Sequence, residues 1–463
     1  MDNKEALTSA LHDALRAWYK SGVVDNETML DELQLVKQHK KNMSNKGDGR
    51  RLYLNEILLA ALDQLSKQND QSSQLLRSRF LDGQTLREVA QSLNVDHYAV
   101  SRQQRAALEE LAEIIGQQEE TLRQKLINEI SSYLPPADYD QLFGVADVQK
   151  ELVEKLTAVS APHIISVLGI GGIGKTSLVD ATVRQIIPTF RFDQIIWLRL
   201  EYQTLDGRSR SPKQSWQQIA DGIAARIWPD SYQDVDQKQR EIQIRYHLKQ
   251  MPYLVIIDNL EAEEDTAYVL THLNDLADPS KFLLTTRTQP AGETAVFTRS
   301  LGELSQPDAE ALMRHHAQRS GISLDEATAA DFNNIYEHVG GNPLALKLVI
   351  GQLRATSLPH VLENLVAQRG QGITDMYDRI YQRTWDMLTE SAQNVLMPMQ
   401  FVPEEGETAD YLQKVSALDD RAFWQAIQIL SQRSLLEVRG TLHERRYGIH
   451  RLTRTFLQKH INP

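Results

Sequence analysis

Eight consecutive residues have the types and spacing that hold a polyphosphate. They fit the pattern G-x-x-x-x-G-K-[ST] without a mismatch and are Gly169, Ile170, Gly171, Gly172, Ile173, Gly174, Lys175 and Thr176. Glycines allow backbone N–H groups to turn toward phosphate oxygens, and Lys175 adds a positive charge. The Thr176 hydroxyl can ligate Mg²⁺, and Ser177 begins a segment that can form a helix with its positive end toward the phosphates. The pattern predicts a nucleoside triphosphate site.

Two other interpretations of the same glycines are open. Gly169, Gly171 and Gly174 also satisfy the G-x-G-x-x-G pattern of dinucleotide sites. A dinucleotide site does not use a Lys-Thr pair, and it needs an acidic residue about 20 residues further on, where this chain has Ile187 and Pro188. The third interpretation is a glycine-rich turn between a strand and a helix that binds no ligand. The Lys-Thr pair favours the triphosphate.

The elements around this motif predict where a metal ion is held. An apolar run, Ile164–Leu168, precedes the glycines, and a second run, Leu254–Ile257, ends in Asp258. A carboxylate at the end of a second buried strand can coordinate Mg²⁺ together with Thr176. A buried strand also ends in an aspartate by chance in some proteins. The pairing with the glycine-rich loop favours metal coordination.

A third apolar run, residues 282–286, ends in Arg287. An arginine at the carboxyl end of a strand lies at the crevice where ligands bind in α/β sheets, so Arg287 can contact a terminal phosphate. Strands alternate with helices over residues 143–287, which is typical of a parallel sheet covered by helices on both faces. If hydrolysis occurs, we expect Lys175, Asp258 and Arg287 to carry it.

The composition narrows the class of protein. The chain has 463 residues, a formal net charge of −12 and no cysteine, so its length predicts about three domains and disulfides are excluded. No apolar run approaches the roughly 18 residues that span a membrane, and the first residues lack the apolar core of a signal peptide. We therefore expect a cytoplasmic protein with no membrane partner. The negative charge argues against binding nucleic acid over the whole surface, but not at one local face.

One local segment, residues 35–51, is clearly basic. Its glycines, Gly47 and Gly49, favour a mobile linker whose charges are solvated, and the alternative is an arm that contacts phosphates. Two helices are expected over residues 5–38, which overlaps the start of this segment, and another is expected to begin near Leu52.

Residues 85–108 predict a helix-turn-helix. Val89, Ala90 and Leu93 form the inner face of its first helix, Asp96 can cap the second, and Val100 returns to the core. The residues just before it, FLDGQT, resemble the last region of bacterial sigma factors, which reads promoter DNA. The resemblance implies that the exposed face of the second helix would enter the major groove of DNA. This face consists of His97, Tyr98, Ser101, Arg102 and Arg105. The alternative is a helical adaptor that has lost its DNA contacts.

Several motifs, in order along residues 140–460, resemble the NB-ARC branch of the STAND ATPases. These are signal-transducing switches that include plant resistance proteins and apoptosome-forming proteins, and this chain is similar to a bacterial member. The matching segments are Phe143-Gly144-Val145, FDQIIWLRL at 192–200, LVIIDNLE at 254–261, LLTTR at 283–287, GNPLAL at 341–346 and YGIHRL at 447–452.

The resemblance implies roles for four further residues. Phe143 and Val145 would lie beside the adenine, and Pro343 would pack on it. His450, in a motif of the MHD type, would contact the phosphates of ADP and lock a winged-helix domain over the nucleotide. Without the resemblance, a histidine that fills a polar gap in a small domain is the ordinary interpretation of His450. The implied cofactors are ATP or ADP with Mg²⁺, with a closed ADP form and an oligomeric ATP form.

Two departures from the family bear on the activity. Many relatives have a second aspartate after the first one, where this chain has Asn259, which cannot take a proton from an attacking water. Glu261 is a possible substitute. We therefore expect a slow ATPase. Such switches also usually carry a long repeat domain as sensor, and this chain stops shortly after His450. We therefore expect either that a partner protein acts as the sensor or that this sequence is a fragment of a longer chain.

These observations predict a multidomain protein. The amino-terminal part is all-α, with helices and the basic linker over residues 1–50 and a helix-turn-helix module over residues 51–135. An α/β P-loop NTPase with a parallel sheet is predicted over residues 140–304. A helical domain follows over residues 305–375, and a winged helix over residues 376–463. Two functions are open: a nucleotide-switched regulator that binds double-stranded DNA, and a signalling or defence scaffold whose amino-terminal helices recruit a protein.

Overall fold

The computed structural model describes thirteen stretches of the chain. They are residues 2–18, 28–43, 50–200, 211–260, 263–287, 296–366, 378, 381–382, 384–403, 405–433, 435–440, 444–449 and 451–460. The chain divides into two compact units, Met1–Glu129 and Ile130–Pro463. No helix in the described stretches is both long enough and apolar enough to cross a membrane.

The first unit is helical, as predicted. Its helices are α1 (Asp2–Arg16), α2 (Gln34–Met43), α3 (Arg50–Gln68), α4 (Asp70–Leu76), α5 (Leu86–Leu93) and α6 (His97–Ser132). A 3-10 turn covers Met29–Glu32, and a π-helical turn, Arg77–Leu81, follows α4. Leucines at helical spacing on α1, among them Leu11 and Leu15, are buried against Leu58 and Leu62 of α3 and Leu111 of α6. This apolar stripe packing stabilises the unit.

The prediction of a linker over residues 35–51 is wrong for its first part. Residues from Gln34 onward form α2, because the apolar side chain of Val36 is buried against α3. The helix also has a distant cap: Glu119 of α6 accepts hydrogen bonds from the backbone N–H groups of Gln34 at 2.9 Å and Leu35 at 3.0 Å. A carboxylate at a helix amino terminus satisfies unpaired N–H groups and interacts favourably with the helix dipole.

The second unit begins with the predicted parallel sheet. Its strands are β1 (Ile164–Leu168), β2 (Gln194–Arg199), β3 (Tyr253–Leu260), β4 (Lys281–Thr286) and β5 (Val296–Ser300), in the spatial order β2-β3-β4-β1-β5. Every pairing is parallel. The helices of this part are α7 (Ala146–Thr157), α8 (Lys175–Ile186), α9 (Pro212–Ile227), α10 (Gln237–Gln250) and α11 (Glu263–Leu276). The sheet confirms the α/β class, and β5 is a strand that the sequence pattern did not indicate.

The order of the strands positions the site. Because the strands are parallel, their carboxyl ends lie at one edge of the sheet. β1 and β3 both pair with β4, so the loop after β1 and the end of β3 are two strands apart. In the register, Thr286 pairs with Leu168, and Arg199 at the end of β2 pairs with Asp258.

The remainder of the second unit is mainly helical. Its helices are α12 (Gln306–Arg319), α13 (Ala329–Val339), α14 (Pro343–Gln352), α15 (Leu358–Val366), α16 (Glu390–Leu396), α17 (Ala409–Ser416), α18 (Asp420–Gln432) and α19 (Arg451–His460). One apolar core runs through this part and includes Leu346, Phe423 and Phe456.

A small antiparallel sheet lies among these helices. Its strands are β6 (Glu407–Thr408), β7 (Glu437–Gly440) and β8 (Arg445–Gly448), in the order β6-β8-β7. β7 and β8 are antiparallel neighbours, with Val438 paired to Tyr447. The assignment of a winged helix to this part stays a prediction.

Candidate phosphate-binding site

The glycine-rich loop joins β1 to α8 and has a backbone that glycine favours. Gly172 has a φ of 74° and Gly174 a φ of 99°, in the left-handed region that side chains rarely adopt. Ile173 is buried and anchors the loop. The Lys175 ammonium donates hydrogen bonds to the carbonyl oxygens of Gly169 at 2.7 Å and Ile170 at 3.0 Å, so this cation lies over the loop. The loop and the start of α8 together present backbone N–H groups and a positive charge, as an anion site requires.

The predicted metal ligands are in contact with each other. The Thr176 hydroxyl donates to Asp258 Oδ1 at 2.9 Å, and the Thr285 hydroxyl donates to the same oxygen at 2.6 Å. Asp258 is 1% exposed. Its other oxygen, Oδ2, accepts no hydrogen bond from any described group and lies 3.7 Å from Arg199 Nε. A hydroxyl next to a buried carboxylate that keeps an unsatisfied oxygen is a donor set that fits Mg²⁺.

Sequence reasoning missed Thr285 and Arg199. Both lie where parallel register brings side chains to Asp258: Arg199 pairs with it directly, and Thr285 stands on the neighbouring strand β4. A signal was present, because Thr285 belongs to the LLTTR segment and Arg199 ends the apolar run of β2. Neither could be assigned to Asp258 before the strand order was known.

Asn259 is held in a specific backbone geometry. Its φ is 75°, its N–H donates to the Thr285 hydroxyl at 2.8 Å, and its side-chain amide donates to the Leu200 carbonyl at 2.9 Å. The amide is thus engaged with the end of β2. Glu261, the substitute that the sequence offered for a catalytic acid, lies outside the described residues.

Arg287 follows β4 directly and its side chain is exposed. β4 is adjacent to β1, and the Gly169 N–H donates to the carbonyl of Thr286 at 3.1 Å. The residue before Arg287 is therefore bonded to the first glycine of the loop. This places the start of the Arg287 side chain at the same sheet edge as the loop.

The residues expected around the adenine come from two places. Phe143 is half-buried and its ring centroid lies 5.5 Å from that of His315 on α12. Val145 immediately precedes α7. Pro343 is the first residue of α14, and its neighbours touch the loop: Asn342 Nδ2 donates to the Gly171 carbonyl at 3.1 Å. Pro343 is thereby brought beside the phosphate loop.

The segment before α7 is tied to the helix that follows the loop. The Ser177 hydroxyl donates to Asp138 at 3.1 Å, and the Tyr139 hydroxyl donates to Asp180 at 2.7 Å. Burial, followed by the hydrogen bond to Asp180, raises the pKa of Tyr139 well above its usual range. Ser177, expected at the nucleotide, thus contacts this segment. Sequence reasoning assigned no role to Asp138, Tyr139 or Asp180.

His450 lies outside the described residues. Its neighbours Tyr447 and Ile449 are buried in the core of the helical part.

The predicted DNA-contacting face lies at the start of α6 in the first unit. Helix α5 begins with a capping box of Thr85 and Glu88, and Asn94, which has a φ of 54°, caps its carboxyl end. Asp96 then accepts a hydrogen bond from the Tyr98 N–H at 3.2 Å. Val100 is fully buried. The local geometry follows the sequence signals for a cap and a turn.

The side chains of this face are exposed, and they are those of His97, Tyr98, Ser101, Arg102 and Arg105. Tyr98 is 74% exposed and its ring packs edge-on against His97. Arg105 forms an exposed ion pair with Glu109 at 3.1 Å, one helical turn later. That acidic neighbour partly offsets the positive potential of the face.

Comparison with known proteins defines the second unit further. Residues 145–303 match the model of the NB-ARC domain. The chain contains an NB-ARC domain. This domain spans β1 to β5, so it includes the glycine-rich loop, Asp258 and Arg287.

Two curated relatives and one solved structure are similar to the chain. Disease resistance protein RPP8 of Arabidopsis thaliana is 26% identical over 308 residues, which cover 62% of this chain and 33% of the relative. Disease resistance protein RPH8A of the same plant is 27% identical over 240 residues, covering 50% and 25%. A signal transduction ATPase with numerous domains and a tetratricopeptide repeat sensor, from Pyrococcus horikoshii, is 18% identical with a TM-score of 0.47, covering 70% and 43%. The chain spans a third or less of the length of these curated relatives.

Proposed function

We propose that the NB-ARC domain binds ADP and ATP with Mg²⁺. The observation that carries this proposal is the contact between Thr176 at the start of α8 and Asp258 at the end of β3. Lys175 and the N–H groups of the loop would hold the phosphates. Thr176 and Asp258 would hold the metal ion, which supplies positive charge between the phosphate oxygens. Phe143, Val145 and Pro343 would surround the base.

The protein would act as a switch, closed with ADP and oligomeric with ATP. Support comes from α14, whose amino terminus is bonded to Gly171 and Gly172 of the loop. A change at the phosphates therefore reaches the helical part of the unit through direct contacts. Hydrolysis would be slow, because the amide of Asn259 is bonded to Leu200 and cannot accept a proton from water.

The output would be a change in DNA binding by α5 and α6. The supporting observations are the capped turn between these helices and the exposed side chains of Tyr98, Arg102 and Arg105. The second candidate function is a signalling or defence scaffold in which the first unit recruits a protein. The specific observation in its favour is that the curated relatives carry the name disease resistance protein. Retention of duplex DNA that falls with added salt would distinguish the first function.

The experiment that tests nucleotide binding is calorimetry with ADP and Mg²⁺ on wild type and Lys175→Ala. Loss of the ammonium should abolish most of the binding. The matched control is Lys213→Ala, which removes an exposed lysine on α9 of the same domain and should bind like wild type. Equal ADP affinity in Lys175→Ala and wild type would show that the loop does not hold the phosphates.

A further inference from the structure

One buried amide bridges the glycine-rich loop and α14. Asn342 is 1% exposed, and its Nδ2 donates to the Gly171 carbonyl at 3.1 Å. Its Oδ1 accepts hydrogen bonds from the N–H groups of Leu344 at 3.1 Å and Ala345 at 3.3 Å. The oxygen therefore caps α14, while the nitrogen is bonded to the loop. Both ends of the side chain have a defined partner.

A second contact lies one residue further along the loop. The Leu344 N–H also approaches the Gly172 carbonyl at 3.3 Å. A Cβ at Gly172 would lie 2.9 Å from Leu344 Cβ and 3.1 Å from Asn342 Oδ1, closer than ordinary van der Waals contact. The loop thus approaches α14 so closely that only glycine fits at this position.

These two contacts fix the direction of two peptide groups. In a planar trans peptide the N–H points opposite to the C=O. Because the carbonyls of Gly171 and Gly172 are held toward α14, the N–H groups of Gly172 and Ile173 are directed away from it. N–H groups of this loop are the ones that bind phosphate oxygens in P-loop proteins.

The geometry points to Asn342 as a positioning residue for polyphosphate. Resting on the nucleotide binding proposed above, Asn342 preorganises the N–H groups of Gly172 and Ile173 by holding the Gly171 carbonyl against α14. It also makes the phosphate loop and α14 move together, so a change at the phosphates reaches the helical part of the unit. Preorganised donors bind an anion without the cost of ordering the loop.

A cap alone would explain only half of the contacts. Serine or aspartate can cap a helix as asparagine does, but neither can donate to the Gly171 carbonyl from this position, since serine is too short and an ionised aspartate has no donor. Asn342→Ser and Asn342→Asp therefore keep the cap and remove the bridge.

The experiment compares ADP with adenosine, by calorimetry in the presence of Mg²⁺, on wild type, Asn342→Ser and Asn342→Asp. Asn69→Ser is the matched control. Asn69 also caps a helix, accepting from the Ser72 N–H at 3.2 Å, and its Nδ2 donates to Glu110 at 3.0 Å. It stands in the first unit.

We expect Asn342→Ser to weaken ADP binding by about three- to tenfold, the loss of one hydrogen bond, with adenosine affinity unchanged. Asn342→Asp should weaken ADP binding at least as much, because its carboxylate would repel the carbonyl oxygen of Gly171 instead of donating to it. Asn69→Ser should change neither ligand. Equal losses for ADP and adenosine would reduce Asn342 to a structural residue, and unchanged ADP affinity in both variants would also overturn the inference.

Failure of the proposed nucleotide binding would give a different result in the same titrations. If wild type binds neither ligand, the nucleotide proposal is wrong and the positioning role falls with it. If Asn342→Ser has a much lower melting temperature than wild type, the comparison is made on Asn342→Asp, whose side chain keeps the size and the cap of the original. A loss specific to ADP in that variant supports the role, and a loss shared with adenosine contradicts it.

Discussion

The hydroxyl of Thr176 donates to Asp258 Oδ1 at 2.9 Å, although 82 residues separate the two along the chain. They meet because β1 and β3 flank β4 in a parallel sheet. Thr285 of β4 lies between them and donates to the same carboxylate oxygen at 2.6 Å. The relationship is a product of strand order, and it brings a hydroxyl and a buried carboxylate to one edge of the sheet.

The first prediction concerns the metal dependence of ATP binding. In wild type, Mg²⁺ should raise the affinity for ATP relative to the same titration in EDTA. Asp258→Asn removes the negative charge and should reduce this gain by about ten- to a hundredfold, as expected for an interaction with a charged group. Asp265→Asn is the control, since Asp265 is a second buried carboxylate of the domain and is bonded to Ser215. Equal gains in wild type and Asp258→Asn would rule out the metal assignment.

The second prediction is slow hydrolysis. The Asn259 amide donates to Leu200 at 2.9 Å and offers no base to an attacking water. Wild type should therefore turn over far below the roughly 1–100 s⁻¹ of efficient phosphoryl transfer. Asn259→Asp supplies a carboxylate and should raise the single-turnover rate by up to about a hundredfold. A wild-type rate in the efficient range would contradict the interpretation of Asn259.

The phosphate loop and its sheet could be predicted because their signals are local. Gly172 and Gly174 mark left-handed positions, and the run Leu254–Ile257 is apolar throughout, as a strand buried on both faces requires. The order of the strands could not be predicted, since each parallel crossover is compatible with several neighbours. Arg199 therefore could not be placed opposite Asp258 from the sequence alone.

Contacts distant in sequence explain the errors. The sequence predicts a linker after residue 38, yet α2 continues to Met43, and its amino terminus is capped by Glu119, 85 residues from Gln34. Tertiary contacts override local propensity in such cases. The bridge from Asn342 to Gly171 spans 171 residues and had no local signal either, since an asparagine before a proline predicts only a helix cap.

The third prediction tests the α6 face. If Arg102 and Arg105 contact phosphates, Arg102→Ala/Arg105→Ala should bind duplex DNA more weakly and with a shallower dependence on salt. Each lost phosphate contact should change the log–log slope by about 0.9. Arg123→Ala, on the same helix but paired with Glu119 at 3.6 Å, is the control. If the ATP form of wild type retains no genomic fragment, or the double variant binds as wild type does, the scaffold function is favoured.

The fourth prediction concerns stability in acid. Burial, with smaller effects of Lys347 and Arg319, lowers the pKa of His316 to about 4 from an ordinary value of 6.5. Between these two pH values the unfolded chain binds a proton at His316 that the folded chain does not. The free energy of unfolding is therefore unaffected by His316 above pH 6.5 and decreases as the pH falls from 6.5 to about 4. At about 1.4 kcal/mol for each unit of pKa, the loss amounts to about 3 kcal/mol.

Calorimetric melting between pH 7 and pH 4.5 checks this. The melting temperature of His316→Gln should fall less over that pH range than the melting temperature of wild type, because glutamine does not take up a proton. His360→Gln, a change at an exposed histidine of α15, should follow wild type. A His316→Gln curve parallel to that of wild type would show that His316 does not set the acid limit.

The last prediction concerns His450, whose motif resembles one that reaches back to the ADP phosphate. A ligand stabilises only the conformation that it contacts better. If His450 hydrogen-bonds to ADP in the closed state alone, that bond is worth about 1–3 kcal/mol, and His450→Ala should shift the equilibrium toward the open state by about 5- to 150-fold. The variant should release ADP faster in a nucleotide chase and form larger particles with ATP by light scattering.

His360→Ala is the control and should behave as wild type. Identical ADP off-rates and particle sizes in wild type and His450→Ala would make His450 a packed core residue, and would remove the support for a switch closed by the carboxyl-terminal part of the chain.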